Sequence, residues 1–308
     1  KNKFLIALNQ LKLLLDLTKD IRSLNPKFVL LHNNSVGLSF IFKYLQILVC
    51  KLCRVRAISR FGSGKTVDKY NNRNLHSYLL KSYINLNYKI LVQTKYSRIF
   101  YEQFASKNIV HILPNFVLDK DINFREIKNK KTLNVLFPLG YDYKSSHNKG
   151  AQIVLELLKR YPSLLNDFNF ICILTDSKFF LEHNSVVNSD KILKVKPKAS
   201  KAIKDLYKSI DILLFLSKSE GFPNFIIELM SNGAAIISSK NGAMPEIVDH
   251  NKGGVIVESR KDYEEIQSIL YQMVDFKLRN SFSKYNMNKV KTCYSEAAFV
   301  SNFKKILT

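Results

Sequence analysis

Several classes of protein are excluded by what this sequence has little of. Cysteine is scarce among the 308 residues, with only Cys50, Cys53, Cys172 and Cys293, too few for the disulfide framework of a secreted domain. No stretch of 18 apolar residues runs without a charge, which argues against a transmembrane helix. The first residues lack the small-residue cleavage site of a signal peptide. We therefore expect a protein of a reducing, cytoplasmic compartment.

Acidic residues are the scarcer charge, with 25 Asp and Glu against 48 Lys and Arg, a net charge of +23. Residues 1–125 hold 21 basic and 6 acidic residues, whereas residues 126–308 hold 27 and 19. A basic half predicts an anionic partner, either nucleic acid or an anionic membrane surface. No nucleic-acid-binding module is recognisable, so we expect no nucleic acid partner. Residues 36–56 read either as a basic helix at a membrane interface or as a plain core helix, and the sequence leaves both open.

Apolar runs of strand length alternate with segments of helical periodicity along most of the chain. This alternation predicts doubly wound parallel sheets that bind ligands at the carboxyl ends of their strands. The pattern stops at Pro114-Asn115 and restarts at Leu133. We therefore predict a first domain over residues 1–117, a linker over 118–132 and a second domain over 133–293. One long helix is expected from residue 262, and a last helix over 294–308 is expected to pack back on the first domain.

The most informative stretch is Ser217-Lys-Ser-Glu-Gly-Phe-Pro-Asn-Phe-Ile-Ile-Glu228. An apolar strand precedes it and a helix starts at its Pro-Asn pair, which predicts a sharp strand-loop-helix turn. Such a turn presents backbone N–H groups and the positive end of a helix to an anion such as phosphate. Glu220 and Glu228 flank the anion site, and carboxylates there would accept hydrogen bonds from hydroxyl groups. Phosphate between two groups of hydroxyls describes a nucleotide sugar.

The pair Glu220 and Glu228 resembles the E-x7-E motif of the family 4 retaining glycosyltransferases. The following Gly242-Ala-Met-Pro-Glu246 is similar to the glycine-and-PE loop of that family. The resemblance implies an α/β fold of GT-B architecture, with two doubly wound parallel-sheet (Rossmann-like) domains. A front domain of this family normally opens with a glycine-rich loop and further strands that we do not find before residue 28, so we expect the first domain to be incomplete.

The resemblance also implies roles for individual residues. Glu220 would hold sugar hydroxyls, and Lys149, within a segment similar to the family's Lys-Gly pair, would hold the diphosphate; these two are the expected catalytic residues. On the acceptor side we expect His32, Arg60 and Gly62. The remaining donor-binding residues are expected to be Gly221, Phe222, Pro223, Asn224, Phe225, Glu228, Lys144, Val195 and Lys196.

The activity implied is transfer of a sugar from a nucleoside diphosphate sugar, expected to be a UDP-sugar, to a hydroxyl with retention at the anomeric carbon. The acceptor is expected to be a saccharide or lipid-linked saccharide, in polysaccharide biosynthesis at the inner face of the cell membrane. No cofactor is expected. No metal is expected either, because lysine and a helix terminus supply positive charge.

Two other functions stay open on the sequence. The absent front strands, and a tyrosine (Tyr141) where the family carries an arginine, are compatible with a catalytically silent binding or scaffold subunit. Gly62-Ser-Gly-Lys-Thr66 resembles part of a P-loop, but Ser59 stands where the pattern G-x4-G-K-[ST] requires glycine, which makes a nucleotide hydrolase the weaker alternative. Asp119-Lys-Asp121 has the D-x-D form of a metal site, but it lies in the predicted linker, where a solvated turn is favoured.

Overall fold

The chain folds into two compact units, Lys1–Pro114 and Asn115–Thr308. A computed structural model describes residues 3–33, 38–62, 75–106, 108–122, 126–138, 148–173, 192–195 and 200–308. The domain boundaries predicted at residues 117, 132 and 293 stay a prediction, as does the packing of the last helix on the first domain.

The first unit is built on a four-stranded parallel sheet of order β1-β2-β3-β4. Its core contains Ile47 and Leu80 from the helices and Ile90 and Val92 from the sheet, all fully buried. The strands are β1 (Phe28–Asn33), β2 (Arg56–Phe61), β3 (Lys89–Val92) and β4 (Val110–Ile112). The helices are α1 (Lys3–Leu24), α2 (Leu38–Leu52), α3 (Leu75–Leu86) and α4 (Lys95–Glu102).

The second unit contains a six-stranded parallel sheet of order β10-β9-β8-β5-β6-β7. The strands are β5 (Leu133–Pro138), β6 (Phe168–Ile173), β7 (Ile192–Val195), β8 (Ile212–Phe215), β9 (Ala235–Ser239) and β10 (Gly254–Val257). The helices are α5 (Ala151–Arg160), α6 (Leu164–Asp167), α7 (Ser200–Tyr207), α8 (Asn224–Ser231), α9 (Met244–Ile247), α10 (Tyr263–Gln272), α11 (Phe276–Cys293) and α12 (Glu296–Leu307). The α/β class and the parallel sheets agree with the sequence prediction.

Strand β8 shows why the apolar runs of the sequence form the centre of this sheet. All four of its residues are buried. Ile212 and Leu214 pack into the cluster on one face, and Leu213 and Phe215 pack into the cluster on the other. A strand covered on both faces has no solvent side, so its sequence is continuously apolar rather than alternating. Each buried side chain contributes about 1.5–3 kcal/mol.

The prediction of one long helix from residue 262 was wrong. Two helices, α10 and α11, occupy this stretch with a break between them. Asp275 caps the second helix by accepting a hydrogen bond from the amide of Lys277 at 2.8 Å. The buried Arg279 guanidinium donates to the carbonyls of Met273 and Val274 at 2.6 and 3.0 Å. These bonds satisfy backbone groups that an unbroken helix would satisfy internally.

The start of the second unit contacts its last helices through a backbone hydrogen bond and a pair of aromatic rings. The amide of Val117 donates to the carbonyl of Tyr294 at 2.8 Å, and the rings of Phe116 and Phe299 lie 4.6 Å apart. Among the helices described, none is both long and apolar enough to cross a bilayer.

Candidate active site

Three loops of the second unit meet at the carboxyl edge of its sheet. They follow strands β5, β8 and β9, which are neighbours in the sheet. In their described parts they include residues 148–150, 216–223 and 240–243. Because the carboxyl ends of parallel strands share one edge, residues far apart in sequence are brought together there.

Hydrogen bonds from side chain to backbone tie these loops to one another. The Ser217 carbonyl accepts from the Ser239 hydroxyl and from Asn241 Nδ2, both at 2.7 Å. The Asn148 carbonyl accepts from the Lys218 amide at 2.7 Å and from the Ser217 hydroxyl at 3.0 Å. Ser217 and Ser239 are almost fully buried, so these bonds form away from competing water and hold the edge rigid.

Two glycines allow the loops to approach this closely. Gly150 has φ +82°, and a Cβ there would lie 2.1 Å from the Leu216 carbonyl oxygen. Gly242 has φ +43°, and a Cβ there would lie 2.1 Å from the Glu220 carbonyl oxygen. The positive φ and the nearby carbonyl oxygen each exclude a residue with a Cβ unless the backbone shifts. The glycines of the two family-like segments therefore place Lys149 and Glu220.

The two predicted catalytic residues are in direct contact. Lys149 Nζ lies 2.7 Å from Glu220 Oε1, and the Ser217 hydroxyl donates to the same oxygen at 2.9 Å. The Lys149 ammonium also lies 5.4 Å from the centre of the Phe215 ring and 5.7 Å from that of Phe225. The side chains of Lys149 and Glu220 are only 28% and 13% exposed. A cation and a carboxylate are thus held at fixed positions where water is largely excluded.

Helix α8 starts beside this pair, with Pro223 at its N-cap and no side-chain capping bond. The amides of Asn224 and Phe225 precede any residue that could accept from them within the helix. The Asn115 side chain donates to the Phe222 carbonyl at 3.3 Å and contacts Asn224 Oδ1. Uncapped amides and the positive end of the helix dipole suit an anion next to Lys149.

Glu228 lies one turn further along α8 and lines a cavity of about 380 Å³. Burial raises the pKa of this carboxyl, Lys204 opposes the rise, and Asp121 adds to it. Lys204 is itself paired with Asp121 at 2.5 Å. Four lysines line the same cavity, namely Lys120, Lys201, Lys204 and Lys208. Asp121 and Asp205 line it as well, so Glu228 is a partly buried carboxylate in a cavity of mixed charge, where it can accept hydrogen bonds from a pair of hydroxyl groups.

The other predicted donor residues are distributed unevenly. Val195 ends strand β7, half-buried and in register with Ile173. Lys144 and Lys196 lie outside the described residues, as do residues 63–66 of the P-loop-like segment. The D-x-D segment forms a short 3₁₀ turn, Asp119–Asp121, with Asp121 bound to lysine. Over the described ranges, no group of three or more His, Cys, Asp and Glu side chains is arranged to hold a metal ion.

The three residues predicted on the acceptor side lie together in the first unit, at the carboxyl ends of β1 and β2. His32 and Arg60 are partners in the sheet register, and the Gly62 amide donates to the Asn33 carbonyl at 3.4 Å. Burial lowers the pKa of His32, and the charges of Arg60 and Lys43 lower it further. Arg60 Nη2 donates to the carbonyls of Leu113 and Pro114 at 3.5 and 3.3 Å.

The sequence reasoning missed the residues that hold Glu220 and its loop in place. Ser217 binds Glu220 directly, and Asn148, Ser239 and Asn241 fix Ser217 and its loop. Small polar residues at loop starts are common, so nothing in their identity marked them. Ser217, Ser239 and Asn241 lie at the end of an apolar strand or just after it, and that position was the available signal.

Comparison with known proteins identifies the family. Residues 119–289, more than half of the chain, match the glycosyl transferases group 1 family. An uncharacterized glycosyltransferase of Haemophilus influenzae is 24% identical over 221 residues, covering 66% of this chain. The chain spans 58% of the length of that relative.

Solved structures show the same fold. A glycosyltransferase from Rickettsia africae superimposes with a TM-score of 0.75 at 17% identity, covering 100% of this chain and 83% of the other. Anabaena HepE, solved in complex with UDP, gives 0.72 at 13% identity, covering 96% and 82%. At such identities the likeness shows the fold alone, which confirms the predicted GT-B architecture. With the family match over the second unit, the chain belongs to the glycosyl transferases group 1 family.

Proposed function

We propose that the chain transfers a sugar from a nucleoside diphosphate sugar to an acceptor hydroxyl, with retention at the anomeric carbon, as a family 4 glycosyltransferase. The observation that carries this proposal is the contact between Lys149 and Glu220 at the uncapped start of α8. A cation and free amides suit a diphosphate, and an adjacent carboxylate suits the hydroxyls of the sugar attached to it.

Lys149 has the chemical role in this proposal. In the reaction the bond between the anomeric carbon and the diphosphate oxygen breaks, a bond to the acceptor oxygen forms, and the proton of the acceptor hydroxyl passes to the departing diphosphate. Negative charge therefore develops on the departing diphosphate. A fixed ammonium and helix-terminal amides stabilise that charge without reorganising at the moment of reaction.

Glu220 and Glu228 orient the two sugars of the donor. Glu220, restrained by Ser217 and Lys149, accepts hydrogen bonds from the transferred sugar. Glu228 accepts from the ribose, and Val195 with Lys196 borders the base. Lys144 is proposed as a second cation for the diphosphate. The UDP present in the HepE structure supports UDP-sugar as the donor to test first.

No divalent metal is assigned a role, because Lys149 and α8 supply the positive charge. Transfer is therefore expected to persist in the presence of EDTA. Loss of transfer in EDTA that added magnesium restores would contradict this part of the proposal.

An anionic membrane surface is proposed as the place where a saccharide or lipid-linked saccharide acceptor is met, as in polysaccharide biosynthesis. Ile41, Leu48 and Leu52 of α2 are 49%, 36% and 84% exposed, and their spacing places them on one face of the helix. Leu11 and Leu15 of α1 are 53% and 72% exposed. Exposed leucines on a basic unit favour binding at the interface of an anionic bilayer.

Sedimentation with vesicles tests this surface. The chain is expected to pellet with phosphatidylglycerol vesicles and to stay in solution with phosphatidylcholine vesicles. Replacing Leu48 and Leu52 by serine is expected to release it. Pelleting of that variant at the parental level would contradict the assignment.

Calorimetry with UDP, GDP and ADP, joined to a transfer assay, tests the central proposal. Glu228→Ala is expected to weaken nucleotide binding about tenfold or more, because two hydrogen bonds to a charged group are lost. Glu220→Gln is expected to keep UDP binding within about twofold while lowering kcat by about 10²-fold. Glu258→Gln is the matched control, since Glu258 forms a similar ion pair with Lys240 on the exposed surface.

Two outcomes would overturn the proposal. Binding of none of the three nucleotides would favour a scaffold subunit. Parental transfer by Glu220→Gln would remove the role of that carboxylate.

A further inference from the structure

A second cavity, of about 490 Å³, opens in the first unit at the amino ends of β2, β3 and β4. This is the opposite end of the sheet from His32 and Gly62. The cavity is bordered by the last turns of α2 and α3. Its lining includes Lys51, Arg54, Arg56, Asn85, Asn87 and Tyr88.

Positive charge dominates this cavity. Lys51, Arg54 and Arg56 line it, and no acidic residue of the described chain does. The carboxyl ends of α2 and α3 also point here, and each carries about half a negative charge. Together the helix ends therefore balance about one of the three cations. An excess of about two positive charges is left, which matches the charge of a phosphate group.

The Arg56 guanidinium is held in place before any ligand binds. Its central carbon lies 4.6 Å from the centre of the Tyr88 ring. Lys89 Nζ lies 5.5 Å from the centre of the same ring. A planar guanidinium stacked on an aromatic ring loses little conformational freedom on binding an oxyanion.

Asn87 adds an independent sign of a missing ligand. The residue is 7% exposed, and its Nδ2 donates to the Tyr83 carbonyl at 2.8 Å. That bond fixes the amide orientation, since a carbonyl accepts only from the nitrogen. Oδ1 is then buried without a hydrogen-bond partner among the described residues. A buried acceptor without a donor is unfavourable, and a ligand hydroxyl that donated to it would remove that cost.

We propose that this cavity binds a phosphate ester that carries hydroxyl groups, of the glycerol phosphate type, as a ligand separate from the sugar donor. The phosphate lies against Lys51, Arg54 and Arg56, and a hydroxyl of the alcohol donates to Asn87 Oδ1. A free phosphate monoester has this chemistry with close to two negative charges, and the phosphodiester headgroup of a lipid such as phosphatidylglycerol has it with one.

Calorimetry on the full chain with sn-glycerol 3-phosphate, inorganic phosphate and glycerol tests the site. Glycerol phosphate is expected to bind saturably and at least fivefold more tightly than phosphate, and glycerol alone is expected not to bind. The double variant Lys51→Gln/Arg56→Gln is expected to weaken binding at least tenfold. Lys19→Gln/Arg22→Gln is the control, because it removes the same charge from exposed positions of α1 and is expected to change binding less than twofold.

Asn87→Ala separates the hydroxyl contact from the charge. It is expected to remove the preference for glycerol phosphate over phosphate while leaving phosphate binding unchanged. Absence of saturable glycerol phosphate binding, or equal binding by both double variants, would overturn the proposal. If Asn87→Ala does not fold, the two double variants still decide the matter.

Competition identifies the source of the ligand. Release of the chain from phosphatidylglycerol vesicles by excess glycerol 3-phosphate would support a lipid headgroup in this cavity. Binding of glycerol 3-phosphate without such release would support a free phosphate ester.

Discussion

The carboxyl edges of the two sheets differ in what their cations contact. In the second unit, Lys149 pairs with the Glu220 carboxylate and lies near two aromatic rings. In the first unit, Arg60 donates to the carbonyls of Leu113 and Pro114, at the end of its own unit. The contact of Lys149 with a carboxylate leaves its charge available to a bound ligand. The contacts of Arg60 with two carbonyls stabilise the polypeptide around it.

The loops show the same contrast. Asn148, Ser217, Ser239 and Asn241 join three neighbouring loops of the second unit by bonds of 2.7–3.0 Å. Between the ends of β1 and β2, the Gly62 amide reaches the Asn33 carbonyl at 3.4 Å. Preorganised charge is what a transition state requires. The second unit therefore has the preorganised charge that the proposed function requires of the reacting centre.

The largest expected effect comes from removing Lys149, the cation that the proposed function places against the diphosphate. Lys149→Met should lower kcat by about 10²–10³-fold, because the charge that develops on the diphosphate loses its fixed ammonium. Steady-state transfer assays measure the effect. Lys240→Met is the control, since Lys240 forms an exposed pair with Glu258 at 2.8 Å and is expected to leave kcat within about twofold. Equal losses in both variants would contradict the distinction between the two cations.

The next effect tests whether the rigid edge depends on a glycine. Gly242→Ala places a Cβ against the Glu220 carbonyl at φ +43°. The left-handed backbone alone costs about 1–2 kcal/mol, so the Tm of the second unit should fall by about 2–8 °C. UDP-sugar affinity should fall with it, because the Glu220 loop must move. Lys218→Ala, which changes an exposed side chain of the same loop, should change neither Tm nor UDP-sugar affinity. An unchanged Tm and affinity in Gly242→Ala would show that the loop can move without cost.

A smaller effect concerns the pH dependence of Glu228. Burial raises the pKa of this carboxyl, so the folded state holds its proton more tightly than the unfolded state. Stability is then full below the ordinary glutamate range and is lost as pH rises through the raised pKa. Glu228→Gln should therefore raise Tm at pH 7, and raise it by less at pH 4. Thermal unfolding at both pH values tests this prediction. A larger increase in Tm at pH 4 than at pH 7 would contradict it.

Much of the site was predictable because local chemistry fixed it. The apolar β8, the Pro223 helix start and the two glycine-containing segments each identify a local structure from neighbouring residues. The contact between Lys149 and Glu220 was not predictable, although both residues were singled out. It depends on β5 and β8 being neighbours in the sheet, and strand order is not encoded in periodicity.

The broken helix shows a second limit. No glycine or proline marks the break between α10 and α11, so periodicity indicated one helix. The break depends on Asp275 as a cap and on Arg279 reaching back to two carbonyls. Aspartate is an ordinary residue on a helix surface, and its capping role becomes evident only from the packing of the arginine.

The smallest expected effect lies at the carboxyl edge of the first sheet, where the acceptor is proposed to bind. Burial, Arg60 and Lys43 lower the pKa of His32, so the imidazole is expected to be neutral at pH 7 and able to accept a hydrogen bond from an acceptor hydroxyl. A lowered histidine pKa means that stability is full above about pH 6.5 and is lost as pH falls through the folded value. His32→Gln should flatten that loss slightly, and it should raise KM for the acceptor more than it changes kcat. NMR titration of His32 measures the shift, and a pKa above the ordinary histidine value would show that the cations of this edge do not reach it.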